Sequence, residues 1–144
     1  MQRHPLLAPF SREHHQVLIL TQVLRNDVPD YRGMPDTPAD KREYALDQYR
    51  QLIAPHFEEE ESWLFPAAQQ GGLQLRDMVR QLEEEHRQIR ARFELLPEVP
   101  EADLSHQLHE LALLLSTHVR FEERLFFETL QNANVLSKDG EDEA

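Results

Sequence analysis

Apolar positions recur along this chain with the 3.6-residue period of an α-helix, and breaker residues divide the pattern into four long stretches. The first follows a lead-in over residues 1–10, where Pro5 and Pro9 discourage helix. With Ser11 as N-cap, SREHHQVLILTQVLRND places His14, Val17, Leu18, Thr21 and Leu24 on one face and ends near Asn26 or Asp27. DVPDYRGMPDT then reads as a loop. Thr37-Pro38, a cap followed by proline, opens a second helix that runs to about Gln69. Its inner stripe is Tyr49, Ile53, His56, Glu60, Trp63, Leu64 and Ala67. Pro55 predicts a kink, Pro66 a frayed end, and Gly71-Gly72 the stop.

A third helix spans Leu73 to Leu96, with Met78, Val79, Leu82, His86, Ile89, Phe93 and Leu96 inward. After the PEVPE turn, a fourth runs from Glu101 to Asn132, lined by Leu111, Leu114, Leu115, His118, Glu122, Leu125 and Phe126. Residues 133–144 form an acidic tail expected to be mobile. Four amphipathic helices with one medium and two short connections predict an all-α, up-down-up-down four-helix bundle over residues 11–132.

Composition narrows the function classes. The 144 residues suffice for one domain and one core. A formal charge of −12 argues against a nucleic-acid partner, which requires clustered cations. The absence of cysteine excludes disulfides, thiolate ligands and iron–sulfur clusters and suits the cytoplasm. No secretory h-region and no run of about 18 apolar residues is found, so no membrane association is expected.

Two halves of the chain repeat one another. EHHQVLIL at 13–20 resembles EHRQIRAR at 85–92, and HFEEEESWLFPAAQ at 56–69 resembles HVRFEERLFFETLQ at 118–131. His14 thereby aligns with His86, His56 with His118, and Glu60 with Glu122. His56–Glu60 and His118–Glu122 are i,i+4 pairs, one above the other on their helices. A single such pair is as well explained by a solvated helix face. The doubled pattern on apolar stripes predicts two hairpins related by a pseudo-twofold, gathering four imidazoles and two carboxylates in the core. Buried without compensation, such groups cost several kcal/mol each. Two cations remove that cost, with the carboxylates bridging and the imidazoles capping. This N/O donor set without sulfur suits two iron ions best, with manganese or zinc as alternatives.

His15 competes with His14 for the ligand role on the first helix, about 100° further round. Glu61 and Glu123 read as groups behind the ligands or at the surface, and Glu83 is a further candidate three residues before His86.

HFEEEESWLFP, EEEHRQIR and HVRFEE, in this order on successive helices, resemble the hemerythrin-like family of HHE cation-binding domains over nearly the whole chain. The resemblance implies a four-helix bundle holding a non-haem di-iron centre, with His14, His56, Glu60, His86, His118 and Glu122 as ligands. Oxygen-carrying hemerythrins place two histidines a turn apart on the third helix, whereas Leu82 and Arg90 flank His86 here. Binding or sensing of O2, NO or redox state, or iron handling, is therefore expected above dedicated oxygen carriage. Sensing would require a protein partner. The competing expectations are a ferritin-like di-iron oxidase, which needs Glu-x-x-His on two helices and finds it here only at Glu83–His86, and a metal-free interaction bundle.

Overall fold

The computed structural model describes residues 2–136, which are helical with turns between and no strand among them. Four long helices form a bundle. α1 is Ala8–Leu24; α2 covers residues 38–69; α3 is Leu73–Leu95, followed by a 3-10 turn Leu96–Glu98; α4 covers residues 101–133. No described helix is long and apolar enough to cross a membrane. The residues of the expected acidic tail from 137 onward lie outside the described ones. Val135 and Leu136, by contrast, pack against the core.

α1 begins three residues before Ser11, and Ser11 is not its cap. Leu7 and Phe10 are buried and draw the chain into the core early. Pro9 sits in the first turn, where its missing N–H has no helical acceptor to lose. α1 stops at Leu24, because Arg25 is extended. α2 starts as its sequence requires, with the Thr37 hydroxyl accepting from the Asp40 N–H at 3.2 Å.

α2 and α4 are not uniform α-helices. Turns of π-helix occupy Tyr49–Ile53 and Glu60–Leu64 in α2 and Glu122–Phe126 in α4. They close with Ala54, Phe65 and Phe127 N–H groups reaching back five residues to Tyr49, Glu60 and Glu122. Pro55 and Pro66 each stand two residues beyond the end of such a turn, at Ile53 and Leu64. The helix therefore continues through Pro66 to Gln69, with Phe65 and Ala68 buried, instead of fraying.

A π turn holds one extra residue, so positions after it move round the helix. This corrects the inner stripe downstream. Leu125 is 52% exposed, while Phe126 and Phe127 are both buried. In α2, Leu64, Phe65 and Ala68 are buried, and Trp63 and Ala67 only partly so. Met78, Leu18 and Leu114 are also half-buried rather than core.

Two apolar clusters fill the interior. One includes Val17, Ile53, Phe57, Ile89, Phe93, Leu111, Leu115 and Val119; the other includes Leu7, Phe10, Leu64, Phe65, Val79, Leu82, Phe126 and Phe127. Along every helix a histidine falls between residues of the two clusters. The apolar halves thus enclose a polar level from both ends.

Candidate metal centre

That polar level contains His14 from α1, His56 and Glu60 from α2, His86 from α3, and His118 and Glu122 from α4. All six are at most 3% exposed, and both glutamates are at 0%. Glu60 and Glu122 are the first residues of their π turns, and His56 and His118 lie four residues before them.

All four imidazoles direct Nε2 inward. His86 Nε2 lies 3.0 Å from Glu60 Oε1 and His56 Nε2 lies 3.3 Å from Glu60 Oε2. His14 and His118 Nε2 lie 3.0 and 3.4 Å from Glu122 Oε1. Only the His14–Glu122 approach is aligned as a hydrogen bond. The Nε2 atoms of His56, His86 and His118, both oxygens of Glu60 and Oε2 of Glu122 have no hydrogen-bond partner.

The outer ring nitrogens are all partnered. The carboxylate of Glu123 accepts from His14 Nδ1 at 2.5 Å, that of Glu13 from His56 at 2.7 Å, that of Glu61 from His86 at 2.6 Å, and that of Glu85 from His118 at 2.7 Å. A carboxylate only accepts, so these contacts place a proton on every Nδ1 and leave Nε2 as the donor atom toward the centre. Carboxylates behind ligating histidines fix the ring and raise its basicity.

The electrostatics follow from packing these groups together without solvent. Burial alone would lower the His14 pKa, but Glu122 and Glu123 outweigh it and raise it from 6.5 to about 9. Burial opposes protonation of His56 too, yet Glu60 and Glu13 raise it from 6.5 to about 10. His86 is raised against burial by Glu60 and Glu61. The carboxylates diverge. Burial pushes Glu60 up, but His56, its contact with Glu122, and His86 hold it well below the usual range. Glu122 is raised by burial and by the neighbouring Glu60 charge. Two buried carboxylates of one sign at close quarters behave this way.

The unpartnered atoms provide the test of whether cations fit. Donor atoms of His14, His56, Glu60 and Glu122 lie within 4.8 Å of one another, as do those of Glu60, His86 and His118. Two overlapping sets share Glu60. His4 Nε2 is a buried unpartnered atom outside them; the five residues of the site with unpartnered inward atoms, together with His14, make up the two sets. A buried carboxylate oxygen or imidazole nitrogen without a partner is costly; a cation ligated by these atoms would relieve all of them together. The residues fit.

Measured against the sequence expectations, the structure brings His14, His56, Glu60, His86, His118 and Glu122 into one cluster. His15 is not among them. It is exposed on the outer side of α1, turned away by the helical step from His14. Glu83 is half-buried and outside both donor sets. Glu61 and Glu123 stand behind His86 and His14 as described. Glu13 and Glu85 were missed by the sequence reading. Their signal is the Glu-His step repeated at 13–14 and 85–86, but each serves a histidine on another helix.

The family model for the hemerythrin HHE cation binding domain matches residues 6–130. Neither a curated protein nor a solved structure matches the chain. The matched span contains all six buried donors and the four carboxylates behind them. This chain belongs to the hemerythrin HHE cation-binding domain family.

Proposed function

We propose that the cluster holds two non-haem iron ions and that the protein binds a diatomic ligand such as O2 or NO there, as a sensor or redox-responsive protein. The observation that carries this reading is the set of unpartnered inward-facing Nε2 and carboxylate atoms, backed on every ring by a carboxylate at Nδ1. His14 and His56 would serve one ion, His86 and His118 the other, with Glu60 and Glu122 between them. Donors limited to imidazole and carboxylate favour iron, then manganese or zinc. Bound iron would supply a one-electron couple and an acidic centre.

What the chain itself contributes is a small, enclosed and largely apolar setting. A cavity of about 10 Å³ is lined by His14, His56 and His118 together with Val17, Ile53, Phe57, Leu115 and Val119. That is room for about one water-sized molecule, and its walls are apolar apart from the imidazoles. On the α3 side, Leu82 is buried in the core and Arg90 is engaged with Glu61, so α3 offers one imidazole. This supports sensing over dedicated carriage.

An up-down-up-down arrangement with a pseudo-twofold is part of the same proposal. Its support is the contact pattern: the acid after each buried glutamate serves His14 or His86, and the acid before those histidines serves His56 or His118.

The test is anaerobic loading with ferrous iron followed by metal analysis and visible spectroscopy. About two irons per chain are expected, with absorption that appears on oxidation and bleaches on reduction. Glu60→Gln with Glu122→Gln should lower iron content and thermal stability together. Wild-type protein that takes up no iron, or a double variant that retains it fully, refutes the assignment.

A further inference from the structure

Two of the four outer carboxylates are gripped by arginines from elsewhere in the fold, and two are not. Arg90, one turn beyond His86 on α3, forks onto Glu61 with Nη1 2.7 Å from Oε2 and Nη2 3.0 Å from Oε1. Arg3, in the segment ahead of α1, places Nη2 3.1 Å from Glu123 Oε1 and 3.2 Å from the Glu123 carbonyl, and Nη1 2.9 Å from Glu128 Oε2. The Ser11 hydroxyl adds a donor to Glu123 at 2.7 Å. Among the described residues, no arginine reaches Glu13 or Glu85.

Each arginine also lies over a phenylalanine that stacks on the same histidine. The Arg90 guanidinium lies 5.4 Å from the Phe57 ring centre, and Phe57 stacks on His86 at 3.7 Å and 13°. The Arg3 guanidinium lies 5.4 Å from the Phe127 ring centre, and Phe127 stacks on His14 at 5.6 Å and 19°. A guanidinium is suited to both tasks, being a planar fork for a carboxylate and a cation that settles over an aromatic face. His86 and His14 are therefore held at the edge by an arginine-gripped carboxylate and on a face by a phenylalanine. The acids at Nδ1 of His56 and His118 have no arginine, Glu85 being held instead by Gln81 Nε2 at 3.0 Å. Glu13, 41% exposed at its side chain, is the most open of the four.

We propose that Arg3 and Arg90 are positioning residues, each locking one imidazole of each cation pair through its outer carboxylate and its stacked phenylalanine. This assignment rests on the cation-binding reading above.

Two readouts test it. The first is release of Fe²⁺ from loaded full-length protein to a chromophoric chelator. The second is the imidazole Nδ1–H resonances of His14 and His86 in ¹⁵N-labelled protein freed of cations. Arg90→Ala should speed release of one of the two irons about 10- to 100-fold and lose the His86 ring proton to exchange while retaining that of His14. Arg3→Ala should do the converse. Arg90→Lys, which keeps the charge without the fork, should restore part of both effects. Arg87→Ala, whose partner is Glu84 on an exposed face, should match wild type. Wild-type release rates with both ring protons retained in Arg3→Ala and Arg90→Ala overturn the proposal. So does a fall in melting temperature unaccompanied by either change, since that marks a mere brace. Failure of wild type to bind iron overturns the functional reading, and the ring protons still report separately on the two arginines.

Discussion

Protons and cations compete for the same buried nitrogens, so cation affinity must depend steeply on pH. Without a bound cation, His14 and His56 are protonated below about pH 9 and about pH 10 respectively. Ligation through Nε2 requires each ring to give up one proton. Below pH 9 the binding constant at that pair should rise by about two powers of ten per pH unit, the slope being the number of protons released. Between pH 6.5 and pH 8 this amounts to about a thousandfold. The stability of cation-free protein should run the other way. A histidine pKa raised by folding contributes stability in full below its unfolded value of 6.5, and that contribution is lost as pH climbs through 9 for His14 and 10 for His56. For His14 the effect is on the order of 3 kcal/mol. Glu60, depressed by folding, contributes above its ordinary 4.5 and loses that contribution as pH falls. The contributions of His14, His56 and Glu60 are together greatest between pH 4.5 and 6.5. Glu122, raised by folding, costs stability as pH rises above 4.5, so cation-free protein should soften toward pH 9 while loaded protein strengthens. Calorimetric titration with Zn²⁺ in two buffers of different ionisation enthalpy gives the proton count, and thermal melts of both forms give the stability trends. Fewer than one proton released per cation, or parallel pH trends for the two forms, would refute the reasoning.

Other outcomes follow from burial and position. His14→Ala should remove close to one cation per chain, whereas His15→Ala, on the exposed side of α1, should leave metal content unchanged and stability within about 0.5 kcal/mol. Metal analysis and chemical denaturation of the two variants separate the adjacent histidines. Phe57→Ala removes a ring that is 2% exposed and stacks on His86. It should cost about 3–5 kcal/mol in urea denaturation and enlarge the cavity beside the imidazoles, loosening its selection for small ligands. Unchanged stability would show that the ring is not packed as described.

Much of the site is local in origin, which is why a linear reading reaches it. His56 with Glu60 and His118 with Glu122 meet because four residues make about one helical turn, and their apolar neighbours identify the inward face. His14 and His86 follow from the repeat. The π turns could not be read this way. Pro55 and Pro66 withhold N–H groups after two of the turns, but no proline follows the third, at Glu122–Phe126, so no single local signal marks them. No periodicity placed Leu125 outside and Phe127 inside, because the step in register occurs at Glu122 itself.

By itself the sequence determined the helical class, the extent of the four helices to within a few residues, and five of the six buried donors, because these depend on spacing along one helix and on the cost of burying charge. It left His14 and His15 as alternatives for the sixth. Only the tertiary structure decided which acid stands behind which ring. Glu13 serves His56, Glu85 serves His118, and Arg3 reaches Glu123 across 120 residues. Such pairings are set by how far apart helices pack and how their faces are turned. Those quantities belong to the bundle as a whole and to no single stretch of it.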